Sequence, residues 1–223
     1  MRPERRQWLR ITAALLATQM GFLRDALAAG SLERGVHRVR GDVRVNGVPA
    51  KEGMFVAVGD IITTGADGEV VFVTGRDAFL IRANSRVEAQ GVAGPLLLSG
   101  LRVITGAVLS VFAPGEPKTM RTATATIGIR GTSLYLEAEE ARTYVCCCYG
   151  EAEIVSTVDP SARETVRTQH HEQPRYVMGS GAPQMLMGAP VVNHSDAELM
   201  LLESLVGRRP PFLDNPNYWP GRY

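Results

Sequence analysis

Past the first thirty or so residues, apolar and polar positions alternate in short runs separated by Gly, Asp and Asn, the texture of antiparallel β structure. Gly41-Asp42-Val43-Arg44-Val45 alternates cleanly, and Asn46-Gly47 then supplies the two positive-φ residues of a tight hairpin turn. Asp60 to Thr64, Glu69 to Thr74 and Ala78 to Arg82 predict three brief strands joined by Gly/Asp turns, at a spacing that suits a meander. Leu96 to Leu98, Leu101 to Ile104, Ala107 to Val111, Thr119 to Thr122, Leu134 to Leu136, Thr143 to Tyr149 and Glu151 to Val155 continue the pattern. About a dozen strands are too many for one open sheet of modest size, so the fold class is mainly β, an antiparallel β-sandwich or β-roll.

Helical periodicity is nearly absent until residue 195. Ser195-Asp196-Ala197-Glu198 then forms a capping box, Leu199, Leu202, Leu205 and Val206 make an apolar face, and Gly207 marks the end, with Arg208 and Arg209 beside it. Capping and the helix dipole account for Asp196 and Glu198. One helix is therefore expected over 195–207, followed by an extended Pro/aromatic tail over 208–223 that wraps its own domain or docks on a partner.

The N-terminal segment has a different character. Arg5-Arg6-Gln7-Trp8-Leu9-Arg10 precedes an apolar run, Ile11 to Leu23, that is well short of the roughly 20 residues a membrane-spanning helix needs. Ala26-Leu27-Ala28 then offers small residues where a signal peptidase reads, so residues 1–28 are expected to be a cleavable signal peptide with a mature start at Ala29. The block resembles a twin-arginine signal, with Glu4 where that pattern usually has Ser or Thr, and an ordinary secretory signal is the alternative. Either places the mature protein in the periplasm or beyond. Without residues 1–28 the net charge passes from +1 to about −2. That balance carries no electrostatic footprint of nucleic-acid binding. No later stretch is apolar for 18 residues, since Pro95 to Val111 is broken by Ser99, Gly100, Arg102, Thr105, Gly106 and Ser110; a soluble mature chain without a transmembrane anchor is expected.

Two stretches carry a family resemblance. Gly59-Asp60-Ile61-Ile62-Thr63-Thr64-Gly65, leading through Val70-Val71-Phe72-Val73 to Asn84-Ser85-Arg86-Val87, resembles the first half of a FecR domain. Leu98 to Gly106-Ala107-Val108, then Arg121-Thr122-Ala123-Thr124-Ala125 and Gly131-Thr132-Ser133-Leu134-Tyr135, is similar to its second half. The resemblance covers residues 36–158 and implies an extracytoplasmic β domain; the best-known members regulate a sigma factor after sensing an outer-membrane iron transporter. That relay requires a cytoplasmic segment and a membrane span ahead of the β domain, whereas here a cleavable signal is expected. The resemblance therefore implies a stand-alone exported member with a protein or cell-envelope partner, acting as a ligand-interaction, sensory or scaffold module. Residues 159–194 follow as a loop/strand extension.

The most distinctive chemistry is Tyr144-Val145-Cys146-Cys147-Cys148-Tyr149-Gly150, which holds all three cysteines. On a β-strand Cys146 and Cys148 share one face and Cys147 takes the other. Cysteines at i and i+2 of an extended strand lie too far apart for an unstrained disulfide, whose Cβ atoms sit about 3.8 Å from each other. Two thiolates on one face supply half of a tetrahedral metal site, and imidazoles commonly complete one. His170, His171 and His194 are the candidates, giving a Cys₂His₂ set of Cys146, Cys148, one of His170 or His171, and His194. Zinc, copper and iron all remain open, with Met178, Met185 and Met187 favouring Cu(I) if their thioethers take part. Buried cysteines acting as small apolar residues are the alternative. No G-x-S-x-G, H-E-x-x-H, phosphate-cradling or dinucleotide motif is present, so no catalytic role is expected. The remote exception is a Cys-dependent enzyme that pairs Cys147 with His170 or His171.

Overall fold

Strand alternation needs two apolar faces to meet, and here they meet as a two-sheet sandwich. The structure, a computed structural model, describes residues 34–91, 98–216 and 218–219. The expected signal peptide, residues 1–28, lies outside the described residues, as does the start of the strand expected at Leu96. Fifteen strands are formed: β1 (Gly35–Arg40), β2 (Val43–Val45), β3 (Val48–Pro49), β4 (Ile61–Thr64), β5 (Glu69–Thr74), β6 (Asp77–Ile81), β7 (Arg86–Gly91), β8 (Leu98–Val111), β9 (Lys118–Arg121), β10 (Ala125–Ile129), β11 (Ser133–Ala138), β12 (Arg142–Ser156), β13 (Arg163–Thr168), β14 (Arg175–Met178) and β15 (Leu186–Gly188). One α-helix, α1 (Asp196–Leu205), and a 3₁₀ turn at Pro211–Asp214 follow.

The front sheet runs β1-β5-β6-β8-β11-β12-β14-β15, and the back sheet runs β3-β2-β4-β7-β8-β9-β10-β12-β13. All pairings are antiparallel except β8 with β9. The expected meander does not occur: β4 pairs with β2 and β7 in the back sheet, while β5 pairs with β1 and β6 in the front. Both faces of β5 and β6 are buried, so these strands sit inside the molecule and not at the end of a simple up-and-down run.

Two strands belong to both sheets. The segments expected as separate strands within 98–111 form the single strand β8, and those within 143–155 form the single strand β12. Each bends at a glycine with positive φ, Gly106 (+87°) and Gly150 (+93°). The bends are sterically closed as well: a Cβ at Gly106 would come within 2.5 Å of the Ser85 Cα, and one at Gly150 within 2.7 Å of the Thr132 side chain. Glycine therefore lets one hydrogen-bonded strand turn the corner between sheets where another residue would break it.

Alternation along the front sheet divides its side chains between two apolar clusters. Phe72, Phe79, Ile81, Leu134, Leu136, Val145 and Cys147 face the back sheet and form the sandwich core with residues such as Ile62, Leu101, Met120 and Ile127. Val71, Leu80, Leu109, Tyr135, Tyr144, Cys146, Cys148 and Tyr149 face outward, where Leu199 and Leu202 of α1, Val206 at its C-cap and Phe212 of the tail cover them. Burying each such aliphatic side chain stabilises the fold by about 1.5–3 kcal/mol, which is what holds a ten-residue helix that would be marginal alone. The Glu198 carboxylate accepts from the Ser195 N–H (2.9 Å), completing the expected N-terminal cap. At the other end the Gly207 N–H donates to the Ser204 carbonyl and the Arg208 N–H to that of Glu203, a Schellman motif. The Arg208 guanidinium pairs with the Glu203 carboxylate at 2.6 Å, giving it a specific partner beyond the expected dipole interaction. No helix among the described residues is long and apolar enough to cross a membrane.

Candidate metal centre

Cys146 and Cys148 come from the front-sheet half of β12, on the outward face that α1 closes. Cys147, pointing the opposite way, lies in the sandwich core with the Thr132 hydroxyl 3.3 Å from its sulfur. His171 reaches the outward thiols from the corner after β13. Its backbone takes φ +62°, rare outside glycine, and its N–H donates to the Cys148 carbonyl at 2.9 Å. A residue held in that region is often one whose side-chain position matters.

His194 arrives from the segment between β15 and α1, and several side chains pin that segment. The Tyr144 hydroxyl donates to the Pro190 carbonyl (3.0 Å) and accepts from the Val192 N–H (3.3 Å). The Asn193 amide donates to Glu137 (2.7 Å), and Arg82 donates to the Asn193 carbonyl (2.9 Å) and to Glu198 (2.8 Å). The Tyr135 ring stacks on the His194 imidazole with centroids 4.5 Å apart. Tyr144→Phe removes both hydroxyl bonds and leaves the Val192 N–H without that acceptor. It is expected to cost about 1–3 kcal/mol in urea unfolding and to raise hydrogen exchange across 190–194. Unchanged exchange there would show that the phenol does not hold the segment.

One ligand atom from each of Cys146, Cys148, His171 and His194 lies within 4.8 Å of the other three, and all four residues are buried. The Cys146 sulfur is 3.5 Å from His171 Nδ1, and His194 Nε2 is 3.0 Å from that same nitrogen. Zinc bonds of about 2.3 Å to sulfur and 2.0–2.1 Å to nitrogen give a tetrahedron with edges of about 3.3–3.8 Å, so the 3.5 and 3.0 Å separations need to change by only tenths of an ångström and the widest of the set by at most about 1 Å. The second ring nitrogens are committed elsewhere. His194 Nδ1 lies 2.6 Å from the Val192 carbonyl, and His171 Nε2 lies 3.2 Å from Asp196 Oδ1. Each of those nitrogens is thereby the N–H donor, which turns the lone pairs of His194 Nε2 and His171 Nδ1 toward one another and toward sulfur. Two imidazole lone pairs 3.0 Å apart require a proton or a cation between them.

The electrostatics agree in sign. The hydrogen bond from Cys148 holds the Cys146 thiol well below its usual range; burial opposes this, and His171 and His194 add to it. Burial pushes Cys148 well above that range, and the Cys146 thiolate pushes it further. Burial would lower His171, but its bonds to Asp196 and Cys146 prevail and raise it to about 9. His171 thus lies between the Cys146 sulfur and the Asp196 carboxylate, two groups that favour positive charge at that point.

Of the histidines proposed as ligands, His171 and not His170 joins the thiols. His170 Nε2 instead lies 2.8 Å from Asp196 Oδ1. Asp196 is the residue that sequence reasoning passed over: its capping position explained it fully, yet it is buried and faces both histidines. Tyr144 and Tyr135 likewise show nothing in the sequence beyond their places in expected strands. The aromatic pattern flanking the cysteines was the available signal, but alternation alone does not say what a tyrosine on an outward face will anchor.

No family model matches the chain, and no curated protein matches it. Two crystal structures of a candidate anti-sigma factor from Parabacteroides distasonis ATCC 8503, at 1.65 and 2.50 Å resolution, resemble it with a TM-score of 0.47 and 12% identity. Each match covers 58% of this chain and 58% of that one, less than two thirds of either.

Proposed function

We propose that this chain is an exported, periplasmic β-sandwich of FecR type that works as a non-catalytic interaction or sensory module and holds one metal ion at Cys146, Cys148, His171 and His194. The carrying observation is that four buried donors from three chain segments converge within 4.8 Å with both imidazoles already oriented. The N₂S₂ donor set and its closed, buried position favour zinc in a structural site, because catalytic zinc keeps a position open for water or substrate. Four donors suffice without the thioethers of Met178, Met185 or Met187, which removes the specific case for Cu(I). An ion there would be held by the Cys146 and Cys148 sulfurs, His171 Nδ1 and His194 Nε2, and its binding would displace to solvent whatever protons those four groups hold. A protein or cell-envelope partner and twin-arginine export, which carries proteins already folded, complete the proposal.

A second reading has one observation in its favour. Cys146, His171 and Asp196 stand in the order of a thiol triad, a combination other than the Cys147 pairing expected from sequence. A nucleophile must meet its substrate, however, and the Cys146 side chain is fully buried; three surface depressions of 340, 510 and 540 Å³ are all lined by other residues. Elemental analysis of protein purified without chelators or a histidine tag separates the two. One ion per chain, absent from the Cys146→Ser/Cys148→Ser variant, is the expected result. Metal-free native protein with unreactive thiols would sink the metal site, and rapid alkylation of a single thiol would turn attention to the enzyme.

A further inference from the structure

Asp196 has more donors than capping a helix calls for. Its Oδ1 accepts from His170 Nε2 at 2.8 Å and from His171 Nε2 at 3.2 Å, and its Oδ2 accepts from the Tyr218 hydroxyl at 3.1 Å. Tyr218 belongs to the C-terminal tail, which returns over the helix in an aromatic chain: Tyr218 lies 5.1 Å from Phe212, and Phe212 lies 4.6 Å from His170 and 6.0 Å from Tyr149, measured between ring centroids. Tyr149 closes the circuit by donating its hydroxyl to the buried Glu203 of α1. The carboxylate that orients His171 is therefore itself oriented by the tail.

We propose that Asp196 is a positioning residue of the metal site and couples the ion to the seating of the C-terminal tail. The proposal rests on the metal site above. A carboxylate behind a ligating imidazole fixes its tautomer and orientation and raises its basicity, and loss of such a partner typically costs 10–100-fold in metal affinity. Tyr218 and His170 hold that carboxylate in the one rotation that serves His171. Because coupling between two binding equilibria is reciprocal, a tail that strengthens metal binding must be held more firmly when metal is bound. The tail expected from sequence to wrap the domain or dock on a partner would then be a strap whose hold depends on the ion.

The test uses the full chain. Zinc affinity is measured by competition with a chromophoric chelator for the wild type, Asp196→Asn and Tyr218→Phe, beside the charge-transfer and d–d absorption of the cobalt-substituted proteins. Hydrogen exchange of residues 211–219 is followed with and without zinc, and circular dichroism at saturating zinc checks folding. Asp196→Asn keeps the volume and an acceptor oxygen, so a merely structural role would leave affinity unchanged. The expected result is a loss of about 10–100-fold for Asp196→Asn with a shifted cobalt spectrum, and of about threefold to tenfold for Tyr218→Phe. Zinc should slow tail exchange in the wild type and do so less in Tyr218→Phe. Wild-type protein that binds zinc while Tyr218→Phe retains full affinity, or while its tail exchanges at the same rate with and without zinc, would overturn the coupling alone; unchanged affinity in Asp196→Asn would overturn the positioning role. A wild type that takes no zinc would overturn this proposal together with the site it rests on.

Discussion

With an ion held at the four donors as proposed, stripping it with a chelator is expected to lower the melting temperature by about 8–16 °C. An ion present at 1,000 times its dissociation constant stabilises the folded state by about 4.1 kcal/mol, and in a chain of this size each kcal/mol moves the midpoint by about 2–4 °C. The site joins β12, the corner at His171 and the segment carrying His194, so the loss should fall on the attachment of α1 and the tail to the front sheet. The sandwich core, with its own cluster of buried aliphatic and aromatic residues, should still unfold cooperatively. Calorimetry with and without chelator, followed by zinc add-back, checks this. The Cys146→Ser/Cys148→Ser variant is the control, because its midpoint should ignore the chelator. An equal chelator effect in wild type and variant would mean that the stabilising ion sits elsewhere or that the chelator acts on the unfolded chain.

Gly150→Val should be nearly as damaging, through geometry and not chemistry. Gly150 is the bend at which β12 leaves the front sheet for the back one, with φ +93°, and a Cβ there would meet the Thr132 Cβ and Oγ1 at 2.7 Å. Thr132 cannot easily yield, since its hydroxyl donates to the Tyr149 carbonyl and it is fully buried. Backbone strain of about 1–3 kcal/mol and overpacking of about 1–3 kcal/mol together predict a loss of about 2–6 kcal/mol in denaturant unfolding. Gly181 provides the comparison: its φ is +86°, but a Cβ there would meet nothing within 4 Å, so Gly181→Val should show the backbone cost alone. Equal losses at the two positions would show that the bend is not sterically closed. The Gly150 variant should also bind zinc more weakly, because the bend sets the direction in which Cys146 and Cys148 leave the strand.

Much of the local architecture was legible in the chain. The Asn46-Gly47 turn has φ of 51° and 80° as its composition requires, β5 occupies Glu69–Thr74 as expected, and the capping box begins the only α-helix among the described residues. Seven strands have no counterpart among the expected ones: β1, β3, β7, β10, β13, β14 and β15. In β13, Arg163–Thr168, charged and Thr side chains dominate, and its buried positions are only Val166 and Thr168, too weak an alternation to register. Residues 163–168 and 175–178, expected as an extension, pair with β12 in the back and front sheets respectively.

The sequence by itself determined the β class, the helix and the fact that Cys146 and Cys148 share one face while Cys147 takes the other, because each follows from a period of two or 3.6 residues within a single element. It could also nominate His170, His171 and His194, since imidazoles commonly complete a thiolate pair and the chain has only one other histidine, His37. Only the tertiary structure decided which face of β12 meets the sandwich core and which is capped by α1. It alone placed His171 beside the thiols, turned His170 to Asp196, and brought Tyr218 of the tail to that same carboxylate. Those choices depend on contacts between residues more than 20 apart in the chain, and periodicity, a property of neighbours, is silent about which distant surface will cover a given face.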